Sequence, residues 1–203
     1  MISTRTDLLV LHTLRCMGFS SPEAIGAAAG LAGPEVESEL IDLAVGGLAT
    51  RTAGPFGGWG PTDAGKAADS RNIAEELEST GARASVVDAF DRFGPLNPEL
   101  LDLCARWQTR RLGSATVAND HTDSLYDSRV LDRFASVHRR VGPICDDLTG
   151  ALARFGRYRP RLADALSRAE SGDLRYVTDD TASYHAVWFQ LHEDLLVTLS
   201  RTR

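Results

Sequence analysis

Apolar positions recur at helical spacing through most of the chain. Leu8, Leu11, Leu14 and Cys16-Met17 share one face, and Gly18 stands where that helix would stop. Ser21-Pro22-Glu23 reads as cap, first-turn proline and first-turn acid, so a short helix is expected through Ala29, closed by Gly30. Gly33-Pro34-Glu35 repeats the start signal for a third helix, whose inward face carries Val36, Leu40, Leu43 and Ala44. Two short strands follow, 47–52 and 58–62, around a tip in which Pro55 favours a bend and Phe56, Gly57 and Gly58 supply positive φ. Thr62 caps a fourth helix that runs to Thr80 before Gly81, with Ala67, Ile73, Ala74 and Leu77 as its apolar stripe.

The remainder reads as helix throughout. A fifth helix spans 82–93 before Gly94-Pro95, and Asn97-Pro98-Glu99 opens a sixth carrying Leu100, Leu103, Cys104 and Trp107. Residues 113–119 form the most loop-like stretch. A long helix over 122–155 holds Tyr126, Val130, Phe134, Val137, Val141, Leu148 and Leu152 on one face, and Gly142-Pro143 should kink it. Arg159-Pro160 starts a shorter helix ending at Gly172, and Asp179 or Asp180 caps a last one running to about Arg201. No strand alternation is seen after the hairpin. The fold expected is mainly α: an N-terminal winged helix-turn-helix domain over 1–80 with a small β-hairpin wing, then an all-α helical bundle over 81–203.

Composition narrows this picture. With 203 residues, 43% hydrophobic and 25% charged, the chain fits a soluble globular protein. No apolar run approaches the ~20 residues of a membrane span, and Asp7 and His12 interrupt the first apolar stretch, so neither a membrane anchor nor a signal peptide is expected. Cys16, Cys104 and Cys145 are odd in number and widely spaced, which fits a reducing cytoplasm rather than a disulfide framework or zinc ribbon. The net charge of −6 provides no general attraction to nucleic acid.

Gly47-Leu48-Ala49-Thr50-Arg51, the variable tip and Pro61-Thr62-Asp63-Ala64-Gly65 together resemble the wing of MarR-type winged-helix regulators, over about a third of the chain. The resemblance implies a homodimeric transcriptional regulator that binds double-stranded DNA. The third helix would enter the major groove, and Ser38, Arg51, Thr52, Lys66 and Arg71 would meet the duplex. Pro61 stands where that family has leucine. The third helix carries Glu35, Glu37 and Glu39 and no Arg or Lys, and residues 1–75 hold five basic against nine acidic side chains. An alternative is therefore a winged helix that contacts a partner protein without binding DNA.

Chemistry in the helical part centres on polar residues falling on apolar faces. Asp127 and His138 lie on the inward side of the long helix, and Tyr184, His185, Trp188 and His192 on that of the last. With Asp120, His121 and Asp123 they are the candidates for a pocket that senses a small effector. The same Asp and His types could hold a divalent metal, although no i, i+4 ligand pair supports that and no cofactor is expected. An enzyme in the same pocket would need these groups to converge; no nucleophile elbow or phosphate loop is present, and no catalytic residue is assigned. Arg154, Arg157, Arg159 and Arg161, interleaved with Phe155 and Tyr158, read as a solvated basic face, while Trp107, Trp188 and Phe189 read as core.

Overall fold

The computed structural model describes residues 4–54 and 57–201 and is mainly helical. In chain order the elements are α1 (Thr6–Met17), α2 (Pro22–Ala29), α3 (Gly33–Val45), β1 (Ala49–Thr52), β2 (Gly58–Pro61), α4 (Asp63–Ser79), α5 (Arg83–Phe93) and α6 (Leu96–Gln108). Then come β3 (Thr109–Leu112), β4 (Ala115–Ala118), α7 (Ser124–Ala151), a 3-10 turn (Ala153–Arg157), α8 (Tyr158–Glu170), α9 (Arg175–Thr178) and α10 (Tyr184–Thr198). Among the described residues no helix is long and apolar enough to cross a membrane. The chain forms two compact units. Unit 1 is Met1–Val87 with Leu148–Arg157 and Phe189–Arg203; unit 2 is Asp88–Asp147 with Tyr158–Trp188. Two segments of the C-terminal half thus belong with the N-terminal elements, which a single boundary at residue 80 does not capture.

Unit 1 has the helix–helix–helix–hairpin–helix order of a winged helix. Local signals set its ends. Gly18 terminates α1 with φ of 76°, and the Ser21 hydroxyl accepts from Ala24 N at 3.2 Å to open α2. The Thr62 hydroxyl accepts from Gly65 N at 3.0 Å, opening α4, and donates to Gly47 O at 2.7 Å, which ties the wing's base to that helix. β1 and β2 pair antiparallel from Ala49↔Pro61 to Thr52↔Gly58, and Ser20 adds a bridge to Trp59 on the other edge of β2.

Pro55 and Phe56 of the tip lie outside the described residues. The positive φ in the tip belongs to Gly54, at 122°, and not to Gly57 or Gly58. Those two glycines serve close approach instead: a Cβ on Gly58 would come within 2.8 Å of Ser20 O, and one on Gly57 would collide with Thr52 O. Val10, Leu11, Leu14, Ile25, Val36, Leu40, Leu43, Ala49 and Ala68 form the core of this unit. The inward stripe of α4 is Ala68, Asp69, Ile73 and Leu77, while Ala67, expected inside, is exposed. A carboxylate therefore occupies a core position.

Unit 2 contains a second hairpin where helix and loop were expected. β3 and β4 pair antiparallel from Thr109↔Ala118 to Leu112↔Ala115 around Gly113-Ser114, with Gly113 at φ of 63°. Most of its side chains are exposed, so no burial alternation exists to mark it. Other expectations shift as well. α7 continues through Pro143 and stops at Ala151, short of Phe155. Asn97 is no cap, because its Oδ1 accepts from Trp188 Nε1 at 3.0 Å and α6 already begins at Leu96. Ser183 rather than an aspartate opens α10, accepting from Ala186 N at 3.2 Å. The core of this unit is aromatic: Trp188 stacks on Phe93 at 4.7 Å and Phe134 meets Tyr184 edge-on at 5.6 Å. Trp107 and Trp188 are buried as expected, but Phe189 is 43% exposed.

Candidate functional site

The burial of the third helix, α3, divides cleanly. Val36, Leu40 and Leu43 face the core. Outward, Glu37, Ile41 and Val45 follow one another at i, i+4 and i+8, with Ser38 and Asp42 beside them. Ile41 is 56% and Val45 85% exposed, a pair of branched apolar side chains left in water on one ridge. Glu35 lies at the helix start, also exposed. Glu39 carries a pKa raised above the ordinary carboxylate value by partial burial and by the charges of Asp7, Asp42 and Glu35. The surface of α3 is thus an apolar ridge rimmed by acids, with no cation on the helix.

The residues expected to meet DNA do not relieve this. Ser38 is exposed on α3, and Arg51 and Thr52 are exposed on β1, where Arg51 stands opposite Trp59 in the ladder. Lys66 and Arg71 are exposed on α4, and Lys66 lies 3.3 Å from Asp63 one turn earlier. Arg5 pairs with Asp7 at 2.5 Å, and Arg15 is drawn inward to Lys66 O and Ser70 Oγ. Phosphate contacts supply most non-specific DNA affinity, and here few cations are free to make them.

Of the expected effector residues, unit 2 brings His121 and Asp127 together. His121 Nδ1 lies 3.0 Å from Asp127 Oδ2, and Asn119 Nδ2 donates to Asp127 Oδ1 at 2.8 Å and to Trp107 O at 3.0 Å. The His121 ring also lies 4.6 Å from that of Trp107, and its backbone takes φ of 56°. Asp120 and Asp123 face away to Arg110, at 2.8 and 3.9 Å, and Asp123 Oδ1 accepts from Tyr126 N. His138 lies 3.5 Å from the Tyr184 hydroxyl, and burial lowers its pKa. His185 is half-buried with its pKa likewise lowered by burial, and Trp188 is committed to Asn97. His192 belongs to unit 1. Among the nine, His121 thus meets Asp127 and His138 meets Tyr184.

Sequence reasoning missed the most concentrated polar group, which lies in unit 1. His12 Nδ1 is 3.1 Å from both oxygens of Asp69, and His12 Nε2 is 3.0 Å from Asp194 Oδ1. Each ring nitrogen faces a carboxylate oxygen, and Nε2 also lies 3.2 Å from Arg154 NH1. Burial alone would lower the His12 pKa, but Cys16, Asp194 and Asp69 together raise it well above the ordinary value. Asp194 also accepts from Arg154 NH1 and, at 2.9 Å, from Arg157 NH2. Arg154 Nε reaches Glu76 at 2.8 Å and its NH2 reaches the Thr198 hydroxyl at 2.6 Å. Arg154, expected on a solvated face, is 4% exposed.

Three cations (His12, Arg154, Arg157) thus meet three carboxylates (Asp69, Glu76, Asp194) in the interior. Among the described residues His12, Cys16 and Asp194 offer donor atoms within 4.8 Å of one another, and the carboxylates are already engaged by His12, Arg15, Arg154 and Arg157. The cluster acts as an internal clamp joining α1, α4, α10 and the 3-10 turn. What the sequence shows of it is His12 within the apolar stretch of α1 and Asp194 between Leu191 and Leu195, neither of which names its partner. In unit 2, burial pushes the Cys104 and Cys145 thiols up to about 12, which keeps both protonated at neutral pH. Comparison with protein-family models, with curated proteins and with solved structures yields no match to this chain.

Proposed function

We propose that the winged helix of this protein is a docking module for a basic, amphipathic segment of a partner protein. The observation that carries the reading is the α3 ridge of Ile41 and Val45, exposed between Glu35, Glu37 and Asp42. Covering each of those two side chains in a complex is worth about 1.5–3 kcal/mol. The acids around them select Lys or Arg on the partner and repel acidic surfaces. Toward DNA the same face is unfavourable. An acid held about 4 Å from a phosphate costs about 1 kcal/mol even in water, and three such contacts offset what Arg51 and Arg71 could return. A partner helix with apolar residues at i, i+3 and i+4 and lysines on either side matches the ridge in both shape and charge.

A DNA-binding regulator is the second reading, favoured by Arg51 and Thr52 exposed on the wing strand and by the hairpin's resemblance to the MarR type. An amide-resolved NMR titration separates the two. The probes are a Leu/Lys amphipathic helical peptide and a random-sequence DNA duplex, each at about 50 mM salt. The docking reading expects the peptide to shift the amides of residues 35–45 and Ile41→Ser to weaken it. Shifts in α3 and β1 induced by the duplex, and lost in Arg51→Ala, would select the regulator instead.

A further inference from the structure

Unit 1 holds a cleft of about 680 Å³ between the end of α1, the middle of α4 and the last turns of α10. That volume falls in the range of small-molecule sites. The residues expected to sense an effector lie elsewhere, apart from His192, whose helix supplies one wall. The cleft combines an apolar wall with two cations, Arg15 and Arg201, and one acid, Glu193; Arg15 is anchored on α4. Arg15 NH1 donates to Lys66 O at 2.5 Å and to Ser70 Oγ at 2.8 Å, and it lies 3.6 Å from Asp69, itself fixed on His12. The guanidinium is therefore held through a single nitrogen. Its Nε and NH2 have no partner among the described residues, and the side chain is 21% exposed.

An Nε/NH2 edge presented in this way is the fork that takes the two oxygens of a carboxylate in parallel. Because the buried clamp sets its position, little side-chain entropy is lost when it is used. Ser70 adds a hydroxyl whose oxygen accepts from Arg15, leaving its proton available to the same anion. Beside them Met17, Phe189, Leu196 and Val197 provide the apolar wall, with Phe189 unusually exposed for an aromatic on a core helix. Ser200, also in the cleft, holds φ of 54° at a helix end where glycine is the ordinary residue.

We propose that this cleft binds a small organic carboxylate with an apolar body, the carboxylate on Arg15 and Ser70 and the body against Phe189 and Leu196. Decanoate, kept below its micellar concentration, is the probe, with decan-1-ol lacking the charge and acetate lacking the body. Isothermal titration to the full chain should give saturable decanoate binding, with both controls weaker by about tenfold or more. Arg15→Gln should weaken decanoate by about tenfold and leave decan-1-ol unchanged. Phe189→Ala, at an exposed position, should weaken decanoate and decan-1-ol by the same factor. If Arg15→Gln fails to fold, Ser70→Ala serves in its place, with the same expected direction. The proposal is overturned if decanoate does not bind, if decan-1-ol binds as well as decanoate, or if neither Arg15→Gln nor Ser70→Ala reduces decanoate affinity.

Discussion

Asp194→Asn is the sharpest perturbation of the buried clamp. The substitution keeps the shape of the side chain and removes its charge. In the native protein Asp194 accepts from His12, Arg154 and Arg157 and also lies 3.1 Å from the Thr198 hydroxyl. An asparagine has one acceptor oxygen, and its NH₂ group turns a donor toward donors. Three buried cations then share two carboxylates. Breaking a buried ion pair on one side costs about 3–5 kcal/mol, and at about 2–4 °C per kcal/mol for a chain of this size the melting temperature should fall by roughly 6–20 °C.

The pH dependence follows from the same groups. The folded pKa of Asp194 is depressed, so its contribution is present above the ordinary carboxylate value and is lost as pH falls through the folded pKa. The folded pKa of His12 is raised, so its contribution is complete below the ordinary imidazole value and is lost as pH rises through the folded one. Native stability should therefore peak between about pH 4 and 6.5 with respect to these two groups. Calorimetric melts of both proteins across pH 3–9 check this. A melting temperature lowered by under about 2 °C near pH 6 would mean that the clamp contributes little, and the reasoning would fail.

Three smaller effects can be measured alongside. Glu39→Gln should stabilise the protein by less than about 1 kcal/mol at pH 7. The folded pKa of Glu39 is raised, so its unfavourable contribution sets in as pH climbs above the ordinary carboxylate value, and the gain should vanish in melts at pH 3.5. Asn119→Ala leaves the buried Asp127 Oδ1 without that donor and should cost about 1–3 kcal/mol in urea unfolding. Gly65→Ala would drive a Cβ into the carbonyl of Leu48 where the wing meets α4; a loss of about 3 kcal/mol or more is expected, and a neutral result would contradict that close contact.

What could be read in the sequence was what is decided locally. Ser21, Thr62, Gly18, Gly30 and Gly81 act within one turn of their own position, and helix ends followed from them. The strand pair around residue 55 was legible because turn residues flank it. The second hairpin was not, since strands exposed on both faces carry no alternation. Asn97 shows the limit of a cap rule: its side chain is claimed by Trp188, 91 residues away. The clamp lies wholly beyond local rules. Arg154 reads as a surface cation until Asp194 and Glu76 are brought to it, and Asp69 reads as a polar interruption of α4 until it meets His12. Among the effector candidates, His121 and Asp127 meet across six residues at the start of α7, while His138 and Tyr184 meet only through the packing of α7 against α10, which local spacing does not reveal.

The proposed function rests on α3 being a protein-facing and not a phosphate-facing surface. Fluorescence anisotropy of a labelled random-sequence duplex at about 50 mM salt, where phosphate contacts are strongest, tests this most directly. The docking account predicts no saturable binding by the native protein, and the appearance of binding when Glu37 and Asp42 are both changed to Lys. Saturable binding by the native protein that weakens steeply with salt and disappears in Arg51→Ala would contradict it.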